Sequence, residues 1–149
     1  MRLALYQPDI PQNAGSLMRL CACLGVPLDI IEPCGFLLSD RNFRRAGMDY
    51  ADQAQIQRHE CWDRFQTDRG PGRLILLTTR AARAYTGFAF APDDTLLVGR
   101  ESAGVPDDVH DLADARLLIS MRPGLRSLNV AQAAAMVLGE ALRQTGQFP

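Results

Sequence analysis

The stretch spanning residues 120–144, SMRPGLRSLNVAQAAAMVLGEALRQ, constrains the fold more than any other. Val130, Ala133, Ala134, Val137, Leu138, Ala141 and Leu142 recur at intervals that lay one apolar stripe along an α-helix. Ser127 stands just before the stripe, so its hydroxyl is predicted to cap free backbone amides there. Upstream, Pro123 and Gly124 break the backbone between Arg122 and Arg126, and residues 116–119 read as a strand. Strand, polar loop and buried helix in that order make a ligand site at the carboxyl edge of an open α/β sheet.

The same grammar recurs upstream. Residues 2–6 (RLALY) read as a strand ended by Pro8 and Pro11. PQNAGSLMRLCACLG follows as a helix, with Asn13 its predicted cap, Gly25 its stop, and Leu17, Leu20, Cys21 and Leu24 its core stripe. Further strands are predicted at 28–32, weakly at 54–58, at 74–78 (an apolar run of the buried, parallel kind) and at 96–98. Helices are predicted for RNFRRAG, for 60–68 and after Pro106, and a long irregular loop for 79–92. This alternation predicts a single domain, residues 1–149, of α/β class: a mostly parallel sheet with helices on both faces.

No apolar run approaches the roughly 20 residues of a membrane span, and Arg2 opens a strand-like segment, so a soluble, cytosolic protein is expected. Cys21, Cys23, Cys34 and Cys61 lack zinc-finger spacing and read as buried free thiols. A net charge of −1 argues against indiscriminate nucleic-acid binding. All 16 basic residues are arginine, which admits two readings: genome base composition, or local clusters suited to bidentate phosphate contacts. Arg41, Arg44 and Arg45 form one such cluster, and Arg80 with Arg83 another.

Three polar segments follow apolar strands: 13–19, 99–104 and 122–129. Such strand exits can converge at one sheet edge. Helical side chains lean toward the N-terminus, so Arg19 is expected to lie across Gly15 and present its guanidinium near the free amides of the helix start, which suits a phosphate. GRESAG lacks the lysine of a P-loop, and there is no G-x-G-x-x-G. No Ser or Cys pairs with a histidine for covalent catalysis, His59 and His110 read as surface residues, and no cluster suggests a metal. Singly, Asn13 reads as a helix cap, GRESAG as a glycine-bounded turn, and Ser127 and Asn129 as capping and loop residues.

Together, Asn13-x-Gly15-x-x-x-Arg19, Gly99-x-Glu101-x-x-Gly104 and Arg126-Ser127-Leu128-Asn129 resemble the three ordered motifs of the SpoU/TrmH family, a branch of the SPOUT class of RNA 2′-O-ribose methyltransferases. LYQPDIPQNAG, IIEPCGF, RRAGMDY and LTTR narrow the likeness to compact TrmL-type members that methylate the ribose of wobble nucleotide 34, cytidine or uridine, in tRNA. The resemblance covers the whole chain. It implies a C-terminal trefoil knot, a homodimer, S-adenosylmethionine as cofactor, no metal, and a tRNA anticodon stem-loop as partner, with tRNA-Leu isoacceptors as substrates. It places the cofactor against Leu77, Gly99, Glu101, Ile119, Met121, Ser127 and Leu128. Arg19 matches the catalytic arginine, with Asn13, Glu101, Ser127 and Asn129 completing the site. Arg41, Arg44, Arg45 and Arg126 are candidates for RNA phosphates. Ser120 departs from the proline usual at its position, which implies a small loop adjustment.

Other readings remain beside this one: a related enzyme acting on another tRNA or rRNA position, a non-catalytic RNA-binding member, or an unrelated small-molecule-binding domain. Small residues Ala131, Ala135 and Gly139 on the last helix fit either packing against a second copy or burial within one chain.

Overall fold

The computed structural model describes residues 1–38, 41, 45, 50 and 53–149. In chain order the elements are β1 (Arg2–Tyr6), α1 (Pro11–Leu24), β2 (Leu28–Ile31), β3 (Ile56–His59), α2 (Trp62–Asp68), β4 (Leu74–Leu77), β5 (Arg83–Ala84), a 3-10 turn (Tyr85–Gly87), β6 (Thr95–Val98), α3 (Asp107–Leu112), β7 (Ala115–Leu118) and α4 (Val130–Thr145). Among the described residues, seven strands form one sheet in the order β3-β2-β1-β6-β4-β7-β5. Every pairing is parallel.

Both sheet faces are covered, which is why β1, β2, β4 and β6 are buried along nearly their whole length without alternation. On one face α1 (Ala14, Leu17, Met18, Cys21) and α4 (Ala134, Val137, Leu138, Leu142) pack on Leu3, Leu5, Leu28, Ile30, Ile75, Leu96, Val98 and Leu117. On the other, Phe65 of α2 and Val109 of α3 pack on Ala4, Tyr6, Ile31, Leu74, Leu76 and Leu97. The expected class, parallel sheet with helices on both faces, is what the chain forms.

Local corrections follow from side chains that find distant partners. The helix α1 begins at Pro11, whose missing N–H and preset φ suit the first turn; Ile10 is the cap residue and Asn13 lies inside the first turn, buried. Gly25 stops α1 as expected, in the left-handed conformation (φ 63°). The cap of α4 is Asn129 rather than Ser127: its Oδ1 accepts from the amides of Ala131 (2.9 Å) and Gln132 (3.4 Å).

His59 is not a surface residue. It is 1% exposed, with Nε2 2.9 Å from Oδ1 of buried Asp29. His110 is also largely covered, and its Nδ1 lies 3.2 Å from the Nε of Arg116. The four cysteines are free, but Cys21 alone among them is buried, while Cys23 and Cys61 are exposed. Arg80 pairs with Asp107 at 2.8 Å, and Arg83 stacks on Phe88 with 4.8 Å from guanidinium carbon to ring centre, so this second arginine cluster is engaged within the fold.

Leu138 has no exposed surface. Leu138→Ala is expected to cost about 2–5 kcal/mol, read from the shift of the urea unfolding midpoint.

Candidate active site

The register Leu5↔Val98, Leu77↔Val98 and Leu77↔Leu117 brings the carboxyl ends of β1, β6, β4 and β7 side by side. The segments leaving them enclose a cavity of about 420 Å³. Leu76, Leu77, Val98, Ile119, Leu128, Val130 and Ala133 supply apolar walls, and Thr78, Thr79, Gly99, Glu101, Asn13, Ser127 and Asn129 bring polar groups to it.

A chain of hydrogen bonds ties these segments together. Asn129 Nδ2 donates to Asn13 Oδ1 at 2.9 Å, and Asn13 Nδ2 donates to Glu101 Oε1 at 3.0 Å. One amide side chain thus links the start of α4 to the 99–104 loop. The other Glu101 oxygen accepts from the Asp9 amide at 3.1 Å, while the Glu101 amide donates to Asp9 Oδ1 at 3.0 Å. Ser102 donates its hydroxyl to Asp9 Oδ2.

The 99–104 loop is closed on itself by paired backbone bonds between Arg100 and Gly104, 2.9 and 2.8 Å. Gly104 takes a positive φ of 67°, and a Cβ on Gly99 would meet the Gly104 carbonyl carbon at 2.5 Å. This turn requires glycine at both ends.

The two carboxyl groups part company in acidity. Its contact with Glu101, reinforced by the Ser102 hydroxyl and two amides, holds Asp9 down to about 2. Burial first, and the neighbouring Asp9 second, push Glu101 above the ordinary carboxylate range. As pH falls, Glu101 is therefore the first of the pair to take up a proton.

All seven residues expected at the cofactor (Leu77, Gly99, Glu101, Ile119, Met121, Ser127 and Leu128) line this one cavity, together with Asn13 and Asn129. Arg19 is not on its wall. It lies six residues beyond Asn13 on α1, roughly 9 Å along the axis, exposed, with its guanidinium 5.2 Å from the centre of the Tyr50 ring. Arg126, Arg41 and Arg45 are exposed, and Arg44 falls outside the described residues. Sequence reasoning missed Ile10, Thr78, Thr79 and Arg100 on the wall and Asp9 behind it. The Asp9 partner lies 92 positions away, a distance at which no local spacing carries a signal.

The model of the SpoU rRNA methylase family matches residues 1–139. The chain belongs to that family. It is 65% identical over 147 residues to the tRNA (cytidine(34)-2'-O)-methyltransferase of Beijerinckia indica subsp. indica, a match covering 97% of this chain and 91% of that one. A structure solved in work on 2-OH methylation of C/U34 on tRNA superposes with a TM-score of 0.92 at 39% identity, covering 96% and 94% of the two chains. The SpoU methyltransferase AviRb from Streptomyces viridochromogenes, in complex with AdoMet, superposes with a TM-score of 0.84 at 25% identity over 97% of this chain and 60% of that one. Among the described residues, no helix is long and apolar enough to cross a membrane, and no cluster of ligating side chains suggests a metal site.

Gly99→Ala is expected to lose roughly 1–3 kcal/mol of stability from the clash with Gly104, measured by thermal or urea unfolding. The depressed Asp9 carboxyl contributes stability above its ordinary value of 3.8, lost as pH falls toward about 2. Stability of wild type should thus drop more steeply between those values than that of Asp9→Asn, measured by denaturation across the range.

Proposed function

We propose that this chain transfers a methyl group from S-adenosylmethionine to the ribose 2′-hydroxyl of wobble nucleotide 34, cytidine or uridine, in tRNA. The observation that carries the reading is the meeting of residues from three family motifs, Asn13, Glu101 and the Ser127–Asn129 stretch, in one cavity of a chain 65% identical to a cytidine-34 enzyme. The proposed substrates are tRNA-Leu isoacceptors, and the proposed location is the cytoplasm.

The cavity fits the cofactor. Its volume lies in the range of small-molecule sites, its walls mix apolar side chains with a few polar groups, and Gly99, whose Cβ direction is occupied by Gly104, offers only backbone to it. Leu77, Gly99, Glu101, Ile119, Met121, Ser127 and Leu128 would hold it. When bound, it supplies a sulfonium methyl group. The chain's own task is to place the ribose oxygen near that methyl and to help move its proton. In this reading Asn13, Glu101 and Asn129 keep the segments in register, and Ser127 faces the reacting groups from the loop before α4. Arg19 presents a guanidinium, a fork of donors with no acceptor, which makes it a poor base. Its proposed role is to orient a phosphate and the 2′-hydroxyl electrostatically.

A homodimer is part of the proposal, since Arg19 does not line the cavity of its own chain. Exposed Ile10, Leu125, Leu128 and Met136, 40–65% accessible, support a second copy over this face. Ala131, Ala135 and Gly139 are partly buried, and a Cβ on Gly139 would meet nothing within 4 Å. A trefoil knot in the C-terminal part belongs to the same reading, through membership of the SpoU family. Arg41, Arg44, Arg45 and Arg126 are the proposed phosphate contacts to the anticodon stem-loop.

Nucleoside mass spectrometry of tRNA-Leu from cells lacking the protein tests the assignment: loss of the 2′-O-methylpyrimidine at position 34 is expected, and unchanged tRNA would redirect it to another RNA. Arg19→Ala should reduce methylation by about 100-fold or more while cofactor affinity, read by calorimetry, stays within about threefold. Normal turnover would remove Arg19 from the mechanism.

A further inference from the structure

Asp9 lies outside the three motifs and does not line the cavity, yet it sits at the head of the hydrogen-bond chain that shapes it. Its carboxylate accepts from the amides of Glu101 (3.0 Å) and Ser102 (3.4 Å) and from the Ser102 hydroxyl, while its own amide donates to the Glu101 carboxyl at 3.1 Å. Arg100 is the nearby cation, with Nε 3.8 Å from Asp9 Oδ2. Two residues distant in sequence thus exchange backbone and side-chain bonds in both directions. A single contact would leave the loop a rotation; this reciprocal pair does not.

The segment holding Asp9 is itself pinned. Gln7 adopts a positive φ of 44°, unusual for a residue other than glycine, and its amide donates to Ile31 at 2.9 Å. Behind it, the Gly35 amide donates to the Pro8 carbonyl at 2.9 Å, and a Cβ on Gly35 would lie 2.9 Å from both Cα and Cβ of Asp9. Asp9 is thereby wedged between residues of the β2 exit and the 99–104 loop. Its side chain is 16% exposed, so solvent competes little for the bonds it makes.

We propose that Asp9 is a positioning residue of this site, which locks the 99–104 loop to the entrance of α1 and so sets the geometry of the Glu101–Asn13–Asn129 chain. Loss of the carboxylate removes at least one of the two acceptor oxygens. Asparagine keeps an oxygen for the Glu101 amide but turns an NH2 toward the Ser102 amide and hydroxyl, alanine removes both, and the loop is then free to move against α1. Glu101 would be displaced with it, and with Glu101 the wall of the cavity.

The inference rests on the methyltransferase reading for its kinetic readout, so the test carries one readout that does not. Wild type, Asp9→Asn, Asp9→Ala and Asp9→Glu are compared for methylation of tRNA, for S-adenosylmethionine affinity by calorimetry, and for amide deuterium uptake. Asp9→Asn preserves volume and covers the case in which Asp9→Ala does not fold. Expected for Asp9→Asn are kcat at saturating substrates lower by about tenfold or more, weaker cofactor binding, and faster uptake at Glu101 and Ser102. Asp9→Glu, which retains a carboxylate, should return kcat to within about threefold of wild type. A lowered melting temperature with unchanged kcat and cofactor affinity would overturn the inference, because a merely structural strap behaves that way. So would failure of Asp9→Glu to recover activity above Asp9→Asn. If wild type neither binds the cofactor nor methylates, the functional reading falls, and unchanged uptake at Glu101 and Ser102 in Asp9→Asn would then overturn the positioning role separately.

Discussion

Four neighbouring strands, β1, β6, β4 and β7, share one direction, and the cavity depends on that constraint. Parallel pairing puts all their carboxyl ends on the same edge, so segments that leave the sheet far apart in sequence begin about 5 Å from the next and within roughly 15 Å of one another. Helices bury both faces, and the edge is where polar groups remain free to meet. Asn13, Glu101 and Asn129 meet there because each sits within a few residues of a strand end or a helix start.

The polar chain does two things at once. It satisfies groups that burial would otherwise leave without partners, and it fixes three segments relative to each other. Asn13 is suited to the middle position because a carboxamide donates and accepts together: its Nδ2 serves Glu101 and its Oδ1 serves Asn129. An aspartate in that place would have an acceptor facing the Glu101 carboxyl, and a leucine would leave both neighbours unpaired. The same economy shapes the acidity of the site, where Asp9 keeps its charge through donated bonds and Glu101 gives ground to burial.

Arginine's uniform use divides in the folded chain. Arg2 grips buried Asp29 with two bonds of 2.8 Å, and Arg73 grips buried Asp94 in the same forked manner while donating to the Ala89 carbonyl. A lysine offers no such fork. Asp29 also meets His59, so a pair of carboxylates enclosed by the fold is held by planar cations at one end of β1 and at the start of β6. Arg41, Arg45, Arg122 and Arg126 are exposed instead. Composition could not separate the two groups, because the distinction lies in what each guanidinium touches.

Periodicity and punctuation in the chain were enough to determine the class of fold, the stripe of α4, the Gly25 stop of α1 and the approximate place of every strand except β5, a two-residue edge strand inside the stretch read as a loop. Those properties are written in short-range spacing and in the backbone preferences of Pro and Gly. The motif resemblance added the cavity residues from Leu77 to Asn129. Only tertiary structure decided that Asn13 bonds across the chain rather than capping its helix, that Asn129 rather than Ser127 caps α4, that His59 is buried against Asp29, that Arg19 faces Tyr50 instead of the cavity, and that Asp9 grips Glu101. The cap of α4 is local, made to amides two and three positions on; each of the others depends on a partner 30 to 116 positions away, and a polar side chain's local sequence looks the same whether that partner is present or not.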